Sequence, residues 1–134
     1  MYNSHSATTT GRIGEFFVMY LLEKHGIQCH HVTRFGVDLW CQSHFGDVFT
    51  VEVKSSNKNK RGRYAYDIKD DRIADFYVFV ALELETVIVK AAEELPSAVG
   101  HQLAPHQFTV QELETGVRRL GKFKRGRRKT PKKK

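Results

Sequence analysis

The sequence has few cysteines, no long hydrophobic run and no acid in its last eighteen residues. Cys29 and Cys41 are isolated and lack a C-x-x-C spacing, so we expect buried free thiols rather than a redox or metal motif. No stretch approaches the roughly 18 consecutive apolar residues of a membrane span, and residues 1–12 lack the apolar region of a secretory signal. These absences predict a cytoplasmic or nucleoid-associated protein, or one acting inside a virus-infected cell. They argue against a secreted or membrane protein.

The positive charge lies at one end of the chain. Residues 117–134 hold eleven of the 22 Lys and Arg, which leaves eleven basic and fifteen acidic residues elsewhere, although the whole chain is +7. Like charges repel, so this tail is expected to be mobile when free, and phosphate contact is its functional interpretation. A solubilising tail is the alternative. At 134 residues we expect one domain at 10–116, a disordered N-terminus at 1–9 and a basic helix end and tail at 117–134.

The apolar pattern predicts an α/β fold, in which helices flank a central mixed, mainly antiparallel sheet. A largely buried helix should begin near Thr10, a suitable N-cap, and end at Gly26. A short helix broken by Pro96 is expected at 92–99, and 106–123 should hold a short strand and the last helix. The other predicted strands lie at 27–34, in the hairpin 36–54, and at 64–68, 74–83 and 86–91, with a flexible basic loop at 55–63 and a turn near Glu85.

Alternation of apolar residues fixes the pairing of the hairpin at 36–54. Matching Leu39 with Val51 puts Cys41 beside Phe49, and it leaves a loop at 43–47 in which Gly46 can take a left-handed conformation. A slip of one residue would turn the apolar set to the wrong face. The polar residues of the two strands should therefore share the other face.

Two acids meet on that polar face. Asp38 should lie opposite Glu52, with Lys54 two residues along the same strand. Like charges in this position destabilise a sheet by up to about 1 kcal/mol, and a divalent cation would offset the cost. The alternative to a cation site is that these acids simply lie on the solvent-exposed face of a half-buried strand. Glu15 is either a helix N-terminal acid that the dipole favours or a third carboxylate at the mouth of the site.

These residues stand in the order of a known nuclease motif. The helix "GRIGE" ending at Glu15, "GVD" ending at Asp38 and "EVKSS" at residues 52–56 resemble the PD-(D/E)XK nuclease superfamily, with Val37 in place of the proline. "GRIGE" and "EVKSS" look most like Holliday junction resolvases. The later "DFYVFVALE" and "TVIVKAAEEL" are similar to small homing and restriction-like endonucleases. The resemblance covers residues 10–95 and implies a restriction-endonuclease-like core.

The resemblance also implies roles for each residue. Asp38, Glu52 and the Val53 carbonyl would bind Mg²⁺ or Mn²⁺, and Glu15 would bind a second metal or hold a metal-bound water. Such a metal acidifies water and neutralises phosphate charge. Lys54 would steady the attacking water or the oxyanion. Ser55 is either an ordinary strand-end serine or a phosphate contact.

Basic residues elsewhere are candidate DNA contacts, which position the nucleic acid without reading its sequence. Tyr64 and Tyr66 are expected to pack rather than stack on bases. His30 and His31 should face opposite sides of a strand, so a shared zinc site is not expected. The candidate contacts are Arg12, Arg34, Lys58, Lys60, Arg61, Arg63, Arg118, Arg119, Lys122, Lys124, Arg125, Arg127 and Arg128.

The leading hypothesis from the sequence is a divalent-metal-dependent DNA endonuclease, structure-selective in the manner of a Holliday junction resolvase. A sequence-specific homing or restriction-type enzyme is the alternative within the class. Because one domain carries one site and duplex DNA has two strands, a homodimer is expected. Two alternatives lie outside the endonuclease class. One is a non-catalytic nucleic-acid-binding protein, and the other is a helper subunit that needs a partner to cut DNA.

Overall fold

The computed structural model describes residues 7–34, 36–68, 73–95 and 100–125, with only the backbone at 7, 8, 33, 34 and 100. Two helices and seven strands make up the regular structure of these residues, together with three single turns of 3₁₀ helix. The helices are α1 (Ala7–Lys24) and α2 (Val110–Gly121). The strands are β1 (Gln28–Arg34), β2 (Val37–Gln42), β3 (Val48–Ser56), β4 (Tyr64–Asp67), β5 (Phe76–Ala81), β6 (Thr86–Ala91) and β7 (Gly100–Leu103).

A five-stranded sheet in the order β1-β2-β3-β5-β6 forms the centre of the molecule. The pair β3 and β5 is parallel, and the other three neighbouring pairs are antiparallel. The predicted α/β class with a mixed, mainly antiparallel sheet is therefore confirmed. The strands β4 and β7 form a separate two-stranded antiparallel sheet.

The central sheet has a hydrophobic layer on each face. The first layer includes Val18 and Leu22 of α1 and Val117 and Leu120 of α2, packed on one face of the sheet. The second layer contains residues of the small sheet, among them Tyr64, against the opposite face. Tyr64 and Tyr66 are both buried there, so their predicted packing role is confirmed. Within the described ranges, no helix is long and apolar enough to cross a membrane.

The first helix is longer than expected at its start. It begins at Ala7, inside the segment predicted to be disordered, while residues 1–6 lie outside the described ranges. Thr10 is consequently a helical residue and not the N-cap. The helix ends as predicted at Gly26, whose φ of +83° is left-handed, and the Ile27 amide donates to the Leu22 carbonyl at 2.9 Å.

The C-terminal half differs more from the prediction. A single 3₁₀ turn at Ala92–Glu94 stands at the start of the segment predicted to be a short helix broken by Pro96, and residues 96–99 lie outside the described ranges. The short strand expected next to the last helix lies earlier, at Gly100–Leu103. The Thr109 hydroxyl accepts the Glu112 amide at 3.0 Å and caps α2. The helix therefore begins at Val110, where the alternation of apolar residues predicts a strand.

The second helix belongs to the core through its last turn. Val117 and Leu120 are buried in the first layer, so the predicted domain boundary at residue 117 falls inside α2. Arg119 makes two hydrogen bonds of 2.9 Å to Glu94, which fixes the helix against the end of β6. This ion pair lowers the pKa of Glu94 below its ordinary value, chiefly through the Arg119 hydrogen bonds.

Candidate active site

The hairpin of β2 and β3 has the predicted register. Leu39 lies opposite Val51 and Cys41 opposite Phe49, and all four side chains are buried. The connecting loop contains Gly46 at a φ of +89°. The polar residues of both strands occupy the intervening, less buried positions.

Asp38 stands at the end of this pairing. The ladder between β2 and β3 runs from Gln42 to Leu39, and beyond it the Asp38 Oδ2 accepts the Val53 amide at 2.7 Å. The carboxylate thus takes the place of a backbone acceptor where the strands separate. It is bonded to β3 at the residue between Glu52 and Lys54.

Glu15 reaches the same place from α1. Its side chain is 19% exposed, and burial raises its pKa above the ordinary value. The Asp38 carboxylate raises that pKa further, through its charge and a hydrogen bond, whereas the hydrogen bond from His31 acts in the opposite direction. Two carboxylates from distant parts of the chain are therefore close enough to resist ionising together.

His31 is a member of this group that the sequence analysis did not propose. Its Nε2 lies 2.6 Å from Glu15 Oε1, a hydrogen bond in which the imidazole donates to the carboxylate. His30 instead lies beside Trp40, with ring centroids 5.6 Å apart. In the register of β1 and β2, His31 is opposite Leu39. This pairing puts His31 on the face of the sheet that α1 covers, beside Glu15. The pattern of apolar residues in β1 alone does not indicate which face His31 takes.

Glu52 and Lys54 form an ion pair on β3. The Lys54 Nζ is 3.2 Å from Glu52 Oε2, with the two side chains 18% and 23% exposed, respectively. Their partners across the parallel pair are Tyr77 and Phe79, which are buried in the second layer. Asp38 therefore lies between the Glu15 and His31 pair, on the side of α1, and the Glu52 and Lys54 pair on β3.

A close approach of α1 to β3 positions Glu15. Gly14 is buried against Ser55, and a Cβ built on Gly14 would lie 1.6 Å from the Ser55 Oγ and 2.8 Å from its Cβ. Within the described part of the chain, the buried Ser55 hydroxyl has no hydrogen-bond partner. It points at the helix backbone, which favours the interpretation of Ser55 as a packing residue over a phosphate contact.

The donor chemistry of the site suits a hard divalent cation. Among the described residues, no three His, Cys, Asp or Glu side chains are grouped closely enough to form a metal site by themselves. Magnesium needs only one or two protein carboxylates, because substrate oxygens and water complete its coordination. The repulsion between Glu15 and Asp38 is the kind of electrostatic cost that a bound cation relieves. The residues therefore fit Mg²⁺ or Mn²⁺.

Glu15→Gln is expected to raise the melting temperature by a few degrees at pH 7 in the presence of EDTA. An acid whose pKa is higher in the folded than in the unfolded state costs stability as the pH rises through that interval, and the cost persists at neutral pH. The amide removes this cost, so the gain should disappear below the ordinary pKa of glutamate. Thermal unfolding at pH 7 and near pH 4 measures the effect, with the exposed Glu114→Gln as control. A lower melting temperature in EDTA at pH 7 would contradict it.

The predicted DNA contacts fall at two ends of the sheet. Arg12 precedes Glu15 by three residues on α1, and the basic residues after β3 follow Lys54 along the chain. Arg119 is held by Glu94, whereas the side chain of Arg34 and all of Arg127 and Arg128 lie outside the described residues. The exposed candidates are Arg12, Lys58, Lys60, Arg61, Arg63, Arg118, Lys122, Lys124 and Arg125.

The start of the basic tail is packed against the far end of the hairpin. The Phe123 ring lies 5.3 Å from that of Phe49, between centroids, and its carbonyl accepts the Ser43 hydroxyl at 2.7 Å. Arg125 donates to the Val48 carbonyl and lies 3.8 Å from Asp75. Residues 117–125 of the predicted helix end and tail are therefore packed against the domain, and 126–134 lie outside the described ranges.

The fold is shared with a solved nuclease structure. The bacterial homing endonuclease I-Ssp6803I superposes with a TM-score of 0.66 at 25% sequence identity, over 75% of this chain and 77% of the other. No protein-family model matches the sequence, and no curated protein matches it. The similarity covers most of both chains and supports an endonuclease-like fold for this protein.

Proposed function

We propose that this chain is a divalent-metal-dependent DNA endonuclease that hydrolyses phosphodiester bonds. The observation that carries the proposal is the position of Asp38, which lies against Glu15 and is bonded to β3 between Glu52 and Lys54. This arrangement occurs on a fold that a homing endonuclease shares. The proposal places the protein in the cytoplasm or at the nucleoid, where its DNA substrate would be.

The residues divide the work of the reaction between them. Asp38, Glu52 and the Val53 carbonyl would hold Mg²⁺ or Mn²⁺, with Glu15 at the same centre. Such a cation, when bound, acidifies water and neutralises charge on the scissile phosphate. The Lys54 ammonium, paired with Glu52 in the free protein, would oppose the charge that builds on the phosphate oxygens. His31 would keep the Glu15 carboxylate oriented through its hydrogen bond.

Two substrate classes fit this chemistry. The structural neighbour is a homing endonuclease, so we favour a sequence-specific cut in duplex DNA. Cleavage of four-way junctions, the leading interpretation of the sequence, has its support in the "GRIGE" and "EVKSS" resemblance. Either class needs two cuts, and we propose a homodimer because one chain supplies one such site.

A panel of labelled DNAs tests the proposal. Linear duplex, single strand, flap, four-way junction and a plasmid library of random inserts are incubated with Mg²⁺ or Mn²⁺, beside Glu52→Ala. We expect metal-dependent cleavage of a subset of library inserts by the wild-type chain and none by the variant. Symmetric nicks near a junction centre would select the resolvase interpretation instead. Binding without cleavage of any substrate would support a non-catalytic binding protein or a helper subunit.

A further inference from the structure

The segment after β3, which the sequence predicts to be a basic loop, is a hydrogen-bonded turn. We call residues 57–63 the basic turn. The Gly62 amide donates to the Asn59 carbonyl at 2.9 Å, and the Asn59 amide donates to the Arg63 carbonyl at 2.8 Å. Lys58 forms a β-bridge with Tyr64 at the base. The chain therefore leaves β3 and returns as a narrow two-stranded ribbon.

The Asn59 side chain holds this ribbon closed. Its Oδ1 accepts the amides of Arg61 and Arg63, each at 2.9 Å, and Gly62 takes a left-handed φ of +76°. Lys60 and Arg61 are consequently the two central residues of the turn, and both are exposed. In the described part of the chain, neither of their cationic groups has a hydrogen-bond or ion-pair partner.

The base of the basic turn is fixed to the core. The Glu83 carboxylate accepts the Lys58 amide at 3.1 Å and the Tyr64 hydroxyl at 3.0 Å. Tyr64 is 1% exposed and packs in the second layer against Phe108. Burial and Glu83 raise the pKa of Tyr64 to about 12, so this phenol remains a donor at physiological pH. The base of this exposed turn is therefore hydrogen-bonded to the core, whereas the cationic groups of Lys60 and Arg61 at its tip have no partner among the described residues.

The basic turn follows the candidate active site directly along the chain. Lys60 follows Lys54 by six residues, and at about 3.3 Å per strand residue its tip lies up to ~20 Å beyond the site. Gly14 packs on Ser55, so the N-terminal end of α1, with the exposed Arg12, lies at the same end of β3. On B-form DNA this upper limit corresponds to about six base pairs, at ~3.4 Å each.

We propose that the basic turn reads bases in the major groove within about six base pairs of the scissile phosphate, with Arg61 on a guanine and Lys60 on a phosphate. A two-stranded ribbon fits the major groove, and a guanidinium matches the two acceptors of guanine. A turn that is already closed loses little conformational freedom on binding. The inference rests on the proposed function for the position of the cut, and it deepens that function by assigning a specificity residue.

Selection of bound sequences tests the assignment. The full chain carrying Glu52→Gln is mixed with a pool of random duplexes, and the bound fraction is sequenced for four forms: no further change, Arg61→Ala, Lys60→Ala and Lys24→Ala as an exposed control. Arg61→Ala should erase a guanine preference at one or two adjacent positions and weaken binding to the selected sequence about tenfold. Lys60→Ala should weaken all sequences alike and reduce the salt slope of log K by about 1.

The possible outcomes distinguish failure of the Arg61 assignment from failure of the proposed endonuclease function. An unchanged base preference in Arg61→Ala, or a pool without any preferred sequence, would overturn the assignment. Cleavage of DNA by the wild-type chain without sequence preference would reject the assignment of Arg61 as a specificity residue but would still support the proposed endonuclease function. Loss of the guanine preference in Arg61→Ala, combined with no metal-dependent cleavage by the wild-type chain, would support base reading by the turn and reject the proposed function.

Discussion

Asp38→Asn is expected to slow DNA cleavage at least ~100-fold, the largest effect of any isosteric change in the site. The amide oxygen of asparagine can still accept the Val53 N–H, so the end of the hairpin should keep its geometry. The variant removes one negative charge from the proposed cation site and relieves the repulsion that Glu15 experiences. Cleavage rates at saturating DNA and Mg²⁺ measure the loss, and thermal unfolding in EDTA should show no loss of stability.

A matched control makes the result specific. Asp47→Asn carries the same change in the loop at the other end of β2, and it should cleave like the wild-type chain. DNA affinity in EDTA should be the same or slightly higher for Asp38→Asn, because a negative charge has been removed next to the proposed phosphate position. Cleavage within threefold of the wild-type rate would rule out Asp38 as a metal ligand.

Gly14→Ala should destabilise the fold by about 3 kcal/mol and lower the melting temperature by ~10 °C. The new methyl group would lie 1.6 Å from the Ser55 Oγ and 2.8 Å from its Cβ, so α1 must move away from β3. Glu15 is the next residue and would move with it, so cleavage should fall as well. This cost outweighs the roughly 1 kcal/mol by which alanine favours a helix over glycine.

Two further variants decide whether the close approach is the cause. Among the described residues, no atom lies within 4 Å of a Cβ built on Gly11, so Gly11→Ala should be neutral or stabilising by up to about 1 kcal/mol. Combining Gly14→Ala with Ser55→Gly removes the clashing atoms and should restore part of the melting temperature. A Gly14→Ala variant as stable and active as the wild-type chain would show that α1 does not depend on this contact.

Short-range patterns predicted the centre of the molecule well. The alternation in β2 and β3 fixes their register, because a slip of one residue would expose Leu39 and Val51. The stop at Gly26 and the turn at Glu85, whose φ is +53°, follow from local backbone requirements. The order of Glu15, Asp38, Glu52 and Lys54 carries a family resemblance that needs no knowledge of the fold.

Contacts between distant segments were not accessible in the same way. The hydrogen bond of His31 to Glu15 depends on how β1 pairs with β2 and on how α1 lies across them, and neither is a local pattern. The parallel pairing of β3 with β5 is not a local pattern either, since β5 is buried at every position and its sequence does not select one neighbour or direction. The hydrogen bonds of Asn59 in the basic turn are likewise not a local pattern, because asparagine and glycine permit many conformations until a specific set of contacts selects one.

The single parallel pair in the sheet has a consequence for how such a protein can diversify. Because β3 and β5 run in the same direction, the chain must travel back outside the sheet between them, and the basic turn and β4 lie on that return. Within this connection the exposed basic turn can accept insertions or exchanges, whereas Tyr64, Tyr66 and Ile68 are buried in the core. Under the proposed function, related chains would acquire new target sites by changing this surface turn, while Glu15, Asp38 and Glu52 keep their places on α1, β2 and β3.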